Sequence, residues 1–135
     1  MSYLLDTNIV TAALKENQIV SKKLGEVRRQ GQQVFISCMT NYEIKRGLLA
    51  NNASKKMLQW DNFCRIAIDE VIFVPDMEII EKASEIYADL KRRGLPIQDA
   101  DIIIAATAII HNLILVSNDS DLLRVQGLTL ENWIK

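Results

Sequence analysis

Ile97-Gln98-Asp99-Ala100-Asp101-Ile102-Ile103-Ile104-Ala105-Ala106-Thr107-Ala108-Ile109-Ile110-His111-Asn112 is the stretch on which the reading of the fold turns. From Ile102 to Ile110 almost every side chain is apolar, so a helix here has little polar face to offer water and is buried on most sides. Gly94 and Pro96 close the preceding segment, and Asp99 is placed as the N-cap. Asp101 then falls in the first turn, where the helix dipole favours a carboxylate. His111, the only histidine, stands at the far end as a C-terminal cap. Taken alone, Asp101 is a capping acid. Its interest comes from other acids at similar junctions.

Outward from this helix, the apolar positions Ile79, Ile80, Ala83, Ile86, Tyr87 and Leu90 predict a helix from Met77 to Arg93. On the other side Leu113-Ile114-Leu115-Val116 reads as a buried strand. A polar turn, Ser117-Asn118-Asp119-Ser120-Asp121, leads to a short helical stretch at Leu122 and Leu123, and Gly127 precedes an edge strand near 128–131. At the start of the chain, Tyr3-Leu4-Leu5 is a strand that stops at Asp6, with Thr7 and Asn8 available to cap the next helix. A second helix covers 18–30 and ends at Gly31. Val34–Ser37 is the second strand, and a helix carrying Tyr42, Glu43, Ile44 and Arg46 begins after Thr40. Asn51-Asn52 breaks it. A further helix runs through Met57, Trp60 and Phe63 to Cys64, and the β-rich run 71–74 is closed by Pro75. Short strands alternating with helices predict an α/β protein, a three-layer sandwich with a short, mostly parallel central sheet. Its 135 residues suit a single domain over 1–135.

Hydrophobic residues make up 49% and charged residues 24% of the chain, the balance of an ordinary globular protein. No apolar run reaches membrane-spanning length, and the N-terminus lacks the basic region of a signal peptide, so a cytoplasmic location is expected. Cys38 and Cys64 lie apart in apolar surroundings and are expected as buried free thiols. A single histidine excludes mechanisms that need a pair. The net charge of −1 provides no global field to draw in a polyanion, so nucleic-acid contact would rest on local basic clusters or a bound cation. Lys45, Arg46, Lys91, Arg92 and Arg93 are the candidates, though a solvated helix face explains such clusters equally well.

Asp6, Glu43, Asp101 and Asp119 all sit just beyond a strand or in the first turns of the following helix, with Asp99 and Asp121 beside the last two. In an open parallel sheet, ligands bind outside the carboxyl ends of the strands, so acids at several such ends can converge. Each has a bland reading: Asp6 as a cap, Glu43 paired with Arg46, Asp119 and Asp121 as turn formers. Convergence has a cost. Two carboxylates about 4 Å apart repel by roughly 4 kcal/mol at an effective dielectric near 20. A proton or a cation must offset that, and an all-oxygen donor set suits Mg²⁺ or Mn²⁺ rather than zinc. An EF-hand starting at Asp119 fails, because its twelfth position is Leu130.

The order and spacing of several pieces together resemble the PIN-domain ribonucleases, and among them the VapC toxins of type II toxin–antitoxin pairs. The pieces are Leu4-Leu5-Asp6-Thr7-Asn8, Ile36-Ser37 with Thr40 and Glu43-Ile44, Gly94-Leu95-Pro96-Ile97 leading to Asp101 and Ile104-Ala105-Ala106, Leu115-Val116-Ser117-Asn118-Asp119, Gly127-Leu128 and Leu130-Glu131-Asn132-Trp133. The resemblance implies magnesium-dependent RNA cleavage, a homodimer, and inhibition by a small cognate antitoxin, with transfer RNA an expected target. Asp6, Glu43, Asp101 and Asp119 match the family's acidic positions, and Thr7, Asn8 and Ser117 its supporting polar ones. Asp99, two residues before the matched acid, departs from the pattern; the turn that carries Asp119 varies among relatives, and Asp121 is its backup. The mechanism that follows has Asp6, Asp101 and Asp119 holding Mg²⁺ (or Mn²⁺) with Glu43 completing the catalytic set. A phosphatase using Asp6 as nucleophile would want an acid where Asn8 stands. A receiver domain would want a strand-end lysine. A PIN-like scaffold that binds RNA or protein without cutting is the non-enzymatic alternative.

Overall fold

The structure is a computed structural model that describes residues 1–72 and 76–135. Among these residues five strands form one sheet: β1 (Ser2–Leu5), β2 (Gln33–Ser37), β3 (Glu70–Ile72), β4 (Ile114–Val116) and β5 (Leu130–Glu131). They lie in the order β3-β2-β1-β4-β5, and every neighbouring pair is parallel. The helices are α1 (Thr7–Leu14), α2 (Gln18–Arg29), α3 (Cys38–Ala50), α4 (Ser54–Ala67), α5 (Met77–Arg92) and α6 (Asp99–Ile110), with a 3₁₀ turn at Ser120–Arg124. Phe73, Val74 and Pro75, the end of the predicted third strand, lie outside the described residues.

Alternation along the strands sorts the core into two layers. Tyr3, Leu5, Val34, Ile36, Ile114 and Val116 face one side, where Ile9 and Val10 of α1, Val20, Leu24 and Val27 of α2 and Trp60 of α4 cover them. Leu4 and Leu115 face the other, under Ile79, Ala83, Ile86 and Leu90 of α5 and Ile102, Ile104, Ala105 and Ala108 of α6. The sheet therefore has helices on both faces, as the patterning predicts. α6 is buried on most sides.

At the helix starts, Asp6 caps α1, one of the two readings the sequence offered, and Thr7 and Asn8 do not: the Asp6 N–H still bonds to Val116 of the sheet, and its carboxylate accepts the Thr7 N–H at 2.8 Å. Two other starts differ from the sequence reading. α3 begins at Cys38 instead of after Thr40, because the Ser37 hydroxyl already accepts the Thr40 N–H. α6 is capped by the extended backbone of Gln98, so Asp99 is its first helical residue and not the cap. His111 is the C-cap of α6, as expected. The two thiols are free, but half-buried instead of buried.

Candidate metal centre

The strand order reverses direction between β1 and β4: β1 leads towards β2 and β3 on one side, and β4 towards β5 on the other. This switch point opens a crevice beyond the strands' carboxyl ends. Asp6 follows β1 directly, and Ser117 to Asp119 follow β4. The register Leu5↔Val116 sets the two strand ends side by side, which is how residues so distant in sequence become neighbours.

Asp6 is only 4% exposed, and burial pushes its carboxyl above the usual carboxylate range. Its oxygens are not left bare. Oδ1 accepts Thr7 N–H, while Oδ2 accepts the Ser117 hydroxyl at 2.7 Å and the Asn8 amide at 3.2 Å. Ser117, also buried, is a hub: its oxygen accepts from Asn8 Nδ2 at 3.2 Å and from Asp119 N–H at 3.0 Å. Asn8 Oδ1 in turn accepts Asn118 N–H. These bonds tie the ends of β1 and β4 into one polar unit. Thr7 sends its hydroxyl the other way, to Glu43 on α3 at 2.8 Å.

Asp101, half-buried in the first turn of α6, has its carboxyl pushed up to about 6. Burial is the largest cause, followed by the charges of Asp6, Asp119, Glu43 and Asp121. Four acids from other parts of the chain thus act on this one through their charge. Asp101, Asp119 and Asp121 line a cavity of about 320 Å³ with Pro96, Ile97 and Gln98. Asp119 also shapes its own turn, accepting Asp121 N–H at Oδ1. Asp99 is exposed, outside this lining.

The donors are carboxylate, hydroxyl and amide oxygens, which fits a hard divalent cation. Among the described residues no three acids, histidines or cysteines close into a ready cage. Mg²⁺ fits such an open arrangement, since it keeps several waters and takes only one or two carboxylates directly. Of the basic candidates, Lys45, Arg46, Lys91 and Arg92 are exposed. Arg46 lies over the Tyr42 ring, 5.1 Å from its centre, rather than on Glu43. Arg93 is already engaged, with Asp89 and the Arg124 carbonyl.

Two residues enter the site that the sequence reading did not place there. Thr40, fully buried, is 3.2 Å from the Thr7 hydroxyl, and its spacing of three from Glu43 on one helix face is the signal that marks it. Arg124 pairs with Asp121 at the cleft rim, again at a spacing of three.

Comparison with known proteins identifies the family and the fold. Residues 3–128 match the PIN domain family. Ribonuclease VapC2 of Rickettsia felis is 31% identical over the full length of both chains. Ribonuclease VapC1 of Methanocaldococcus jannaschii is 36% identical over 81% of this chain and 69% of its own. Among solved structures, VapBC2 of Rickettsia felis bound to a DNA fragment from its promoter superposes with a TM-score of 0.89 at 27% identity, covering 98% of this chain and 99% of that one.

Proposed function

The chain belongs to the PIN-domain family, in its VapC group, and from that premise we propose that it is a metal-dependent endoribonuclease, the toxin of a toxin–antitoxin pair. The observation that carries the reading is the polar unit that ties Asp6 through Ser117 to Asp119 at the switch point of the sheet, with Asp101 and Asp119 lining one cavity. Asp6 and Asp101, with Asp119, are the residues to hold Mg²⁺ or Mn²⁺. When bound, the ion supplies charge neutralisation at the scissile phosphate and a more acidic water.

The chain's own residues do the rest. Ser117 and Asn8 donate to one oxygen of Asp6, and these bonds favour its ionised form against the burial that opposes it. Thr7 fixes Glu43, which is placed to accept the proton of an attacking water. Water attack on phosphorus breaks the bond to the 3′ oxygen and leaves a 5′-phosphate and a 3′-hydroxyl. Exposed Lys45, Arg46, Lys91 and Arg92 are the candidates to contact the RNA backbone. Transfer RNA is the first substrate class to test.

The named relatives include a toxin solved together with its antitoxin. In this chain an antitoxin segment has a mostly apolar groove of about 390 Å³ available, lined by Leu14, Ile44 and Leu48 together with Lys15, Lys56 and Glu43. The homodimer belongs to the same proposal. The decisive experiment is Asp101→Asn on purified protein with a radiolabelled RNA. Cleavage should fall by about 100-fold or more while RNA binding persists. Normal cutting by this variant, or 2′,3′-cyclic ends from the native protein, overturns the mechanism. A scaffold that never cuts gives no Mg²⁺-dependent product at all.

A further inference from the structure

The outer rim of the acidic cleft is held by a chain of arginines. Arg93, just past the end of α5, donates to the Asp89 carboxylate and, through Nη2, to the Arg124 carbonyl at 2.6 Å. Arg124 closes the 3₁₀ turn that follows Asp119. Its Nη1 donates to the Pro96 carbonyl at 3.1 Å, and its Nη2 pairs with Asp121 Oδ1 at 3.1 Å. Pro96, before α6, and Asp121, on the 3₁₀ turn, both line the cavity that contains Asp101 and Asp119. One planar guanidinium therefore joins these two segments of the lining, which a lysine, with its single charged point, cannot do with the same geometry.

We propose that Arg124 is a positioning residue of the nuclease cleft: it latches the α5–α6 connection to the turn bearing Asp119, with Asp121 as its anchor on that turn. The proposal rests on reading the cleft as the catalytic site. Its consequence is that Asp121, though close enough for its charge to act on Asp101, serves the latch and not the ion. Arg93 supports the latch from behind by fixing the backbone of Arg124 itself. Both arginines are thereby used inside the fold rather than on the nucleic acid.

The test compares Arg124→Met, Arg124→Lys, Asp121→Asn and the double variant Asp121→Asn/Arg124→Met in the full chain. Two readouts are taken: the single-turnover cleavage rate at saturating Mg²⁺, and binding of Mn²⁺ alone by calorimetry. Loss of the latch misplaces Asp119 slightly, and Arg124→Met is expected to slow cleavage about tenfold with Mn²⁺ affinity within about threefold of the parent. Asp121→Asn should leave Mn²⁺ affinity similarly unchanged, and adding it to Arg124→Met should cost nothing more. If Arg124→Met does not fold, Arg124→Lys carries the test, with a smaller rate loss and unchanged Mn²⁺ binding. A rate equal to the parent's in whichever variant folds overturns the proposal. So does a tenfold or greater loss of Mn²⁺ affinity in Asp121→Asn, which would make Asp121 a ligand. If the native protein cuts no RNA, the functional reading fails, while the Mn²⁺ arm still decides whether Asp121 is a ligand.

Discussion

Asp101 carries the site's electrostatics in a single group. Folded, it takes up a proton near pH 6. Unfolded, it does so near about 3.9. Above pH 6 both states are ionised, and the folded state bears the full repulsion of its acidic neighbours. Between the two values the folded state binds a proton that the unfolded state does not, so stability rises as pH falls. Asp6 is shifted in the same direction and adds to the effect. Metal-free protein in chelator should therefore unfold at higher urea at pH 5.5 than at pH 7.5, and Asp101→Asn should reduce that gain. A loss of stability over this range would contradict the assignment. The positions of Asp6, Glu43, Asp101 and Asp119 were legible in the sequence because each follows a strand or opens a helix. Their hydrogen bonds were not. That Ser117 serves Asp6, Asn8 and Asp119 at once depends on the register of β1 with β4, a long-range pairing no local pattern encodes.

The helices share one way of stopping. In α1, α2, α3, α5 and α6 the residue two past the last helical one has a positive φ, and the residue after it donates back into the last turn. In α5 this is Gly94 at φ 71°, followed by Leu95 N–H bonding to the Leu90 carbonyl at 2.9 Å. The pair of reversed bonds satisfies carbonyls that the helix end leaves open. Glycine fills the left-handed position in two of the five helices, asparagine in two, and Glu16 in α1, at φ 61°. Gly31 and the Asn51-Asn52 pair were readable as stops for this reason, whereas nothing about Glu16 signals a left-handed residue. The side chain of Glu16 is exposed, so its conformation is the main thing a substitution changes. Glu16→Gly should stabilise the fold by about 1 kcal/mol, and Gly94→Ala should destabilise it by about as much. Urea midpoints check both. A destabilised Glu16→Gly would mean that its side chain makes a contact of consequence. Helix starts were harder to read than stops, since Asp6 and Ser37 had to be recognised as caps while also ending strands.

At the scale of the molecule, a sheet of parallel strands has its switch point between β1 and β4, with Asp6 and Asp119 just past those two strand ends and Asp101 lining one cavity with Asp119. The layers and the burial of α6 follow from hydrophobic period alone, so the architecture was legible. Strand order was not, because β4 pairs with β1 across more than a hundred residues of chain. The net charge of −1 means that the cleft's negative field is local, offset by lysines and arginines elsewhere. A cation that neutralises it should bind the folded state alone and raise the melting temperature by mass action, worth about 2.7 kcal/mol at a hundred times the dissociation constant. The most direct measurement is the melting temperature of the metal-free protein and of Asp101→Asn across an Mg²⁺ titration. The native protein should rise steadily with Mg²⁺, while Asp101→Asn should start higher and stay nearly flat. Equal shifts in both proteins, or none in the native one, would mean that these carboxylates do not share an ion.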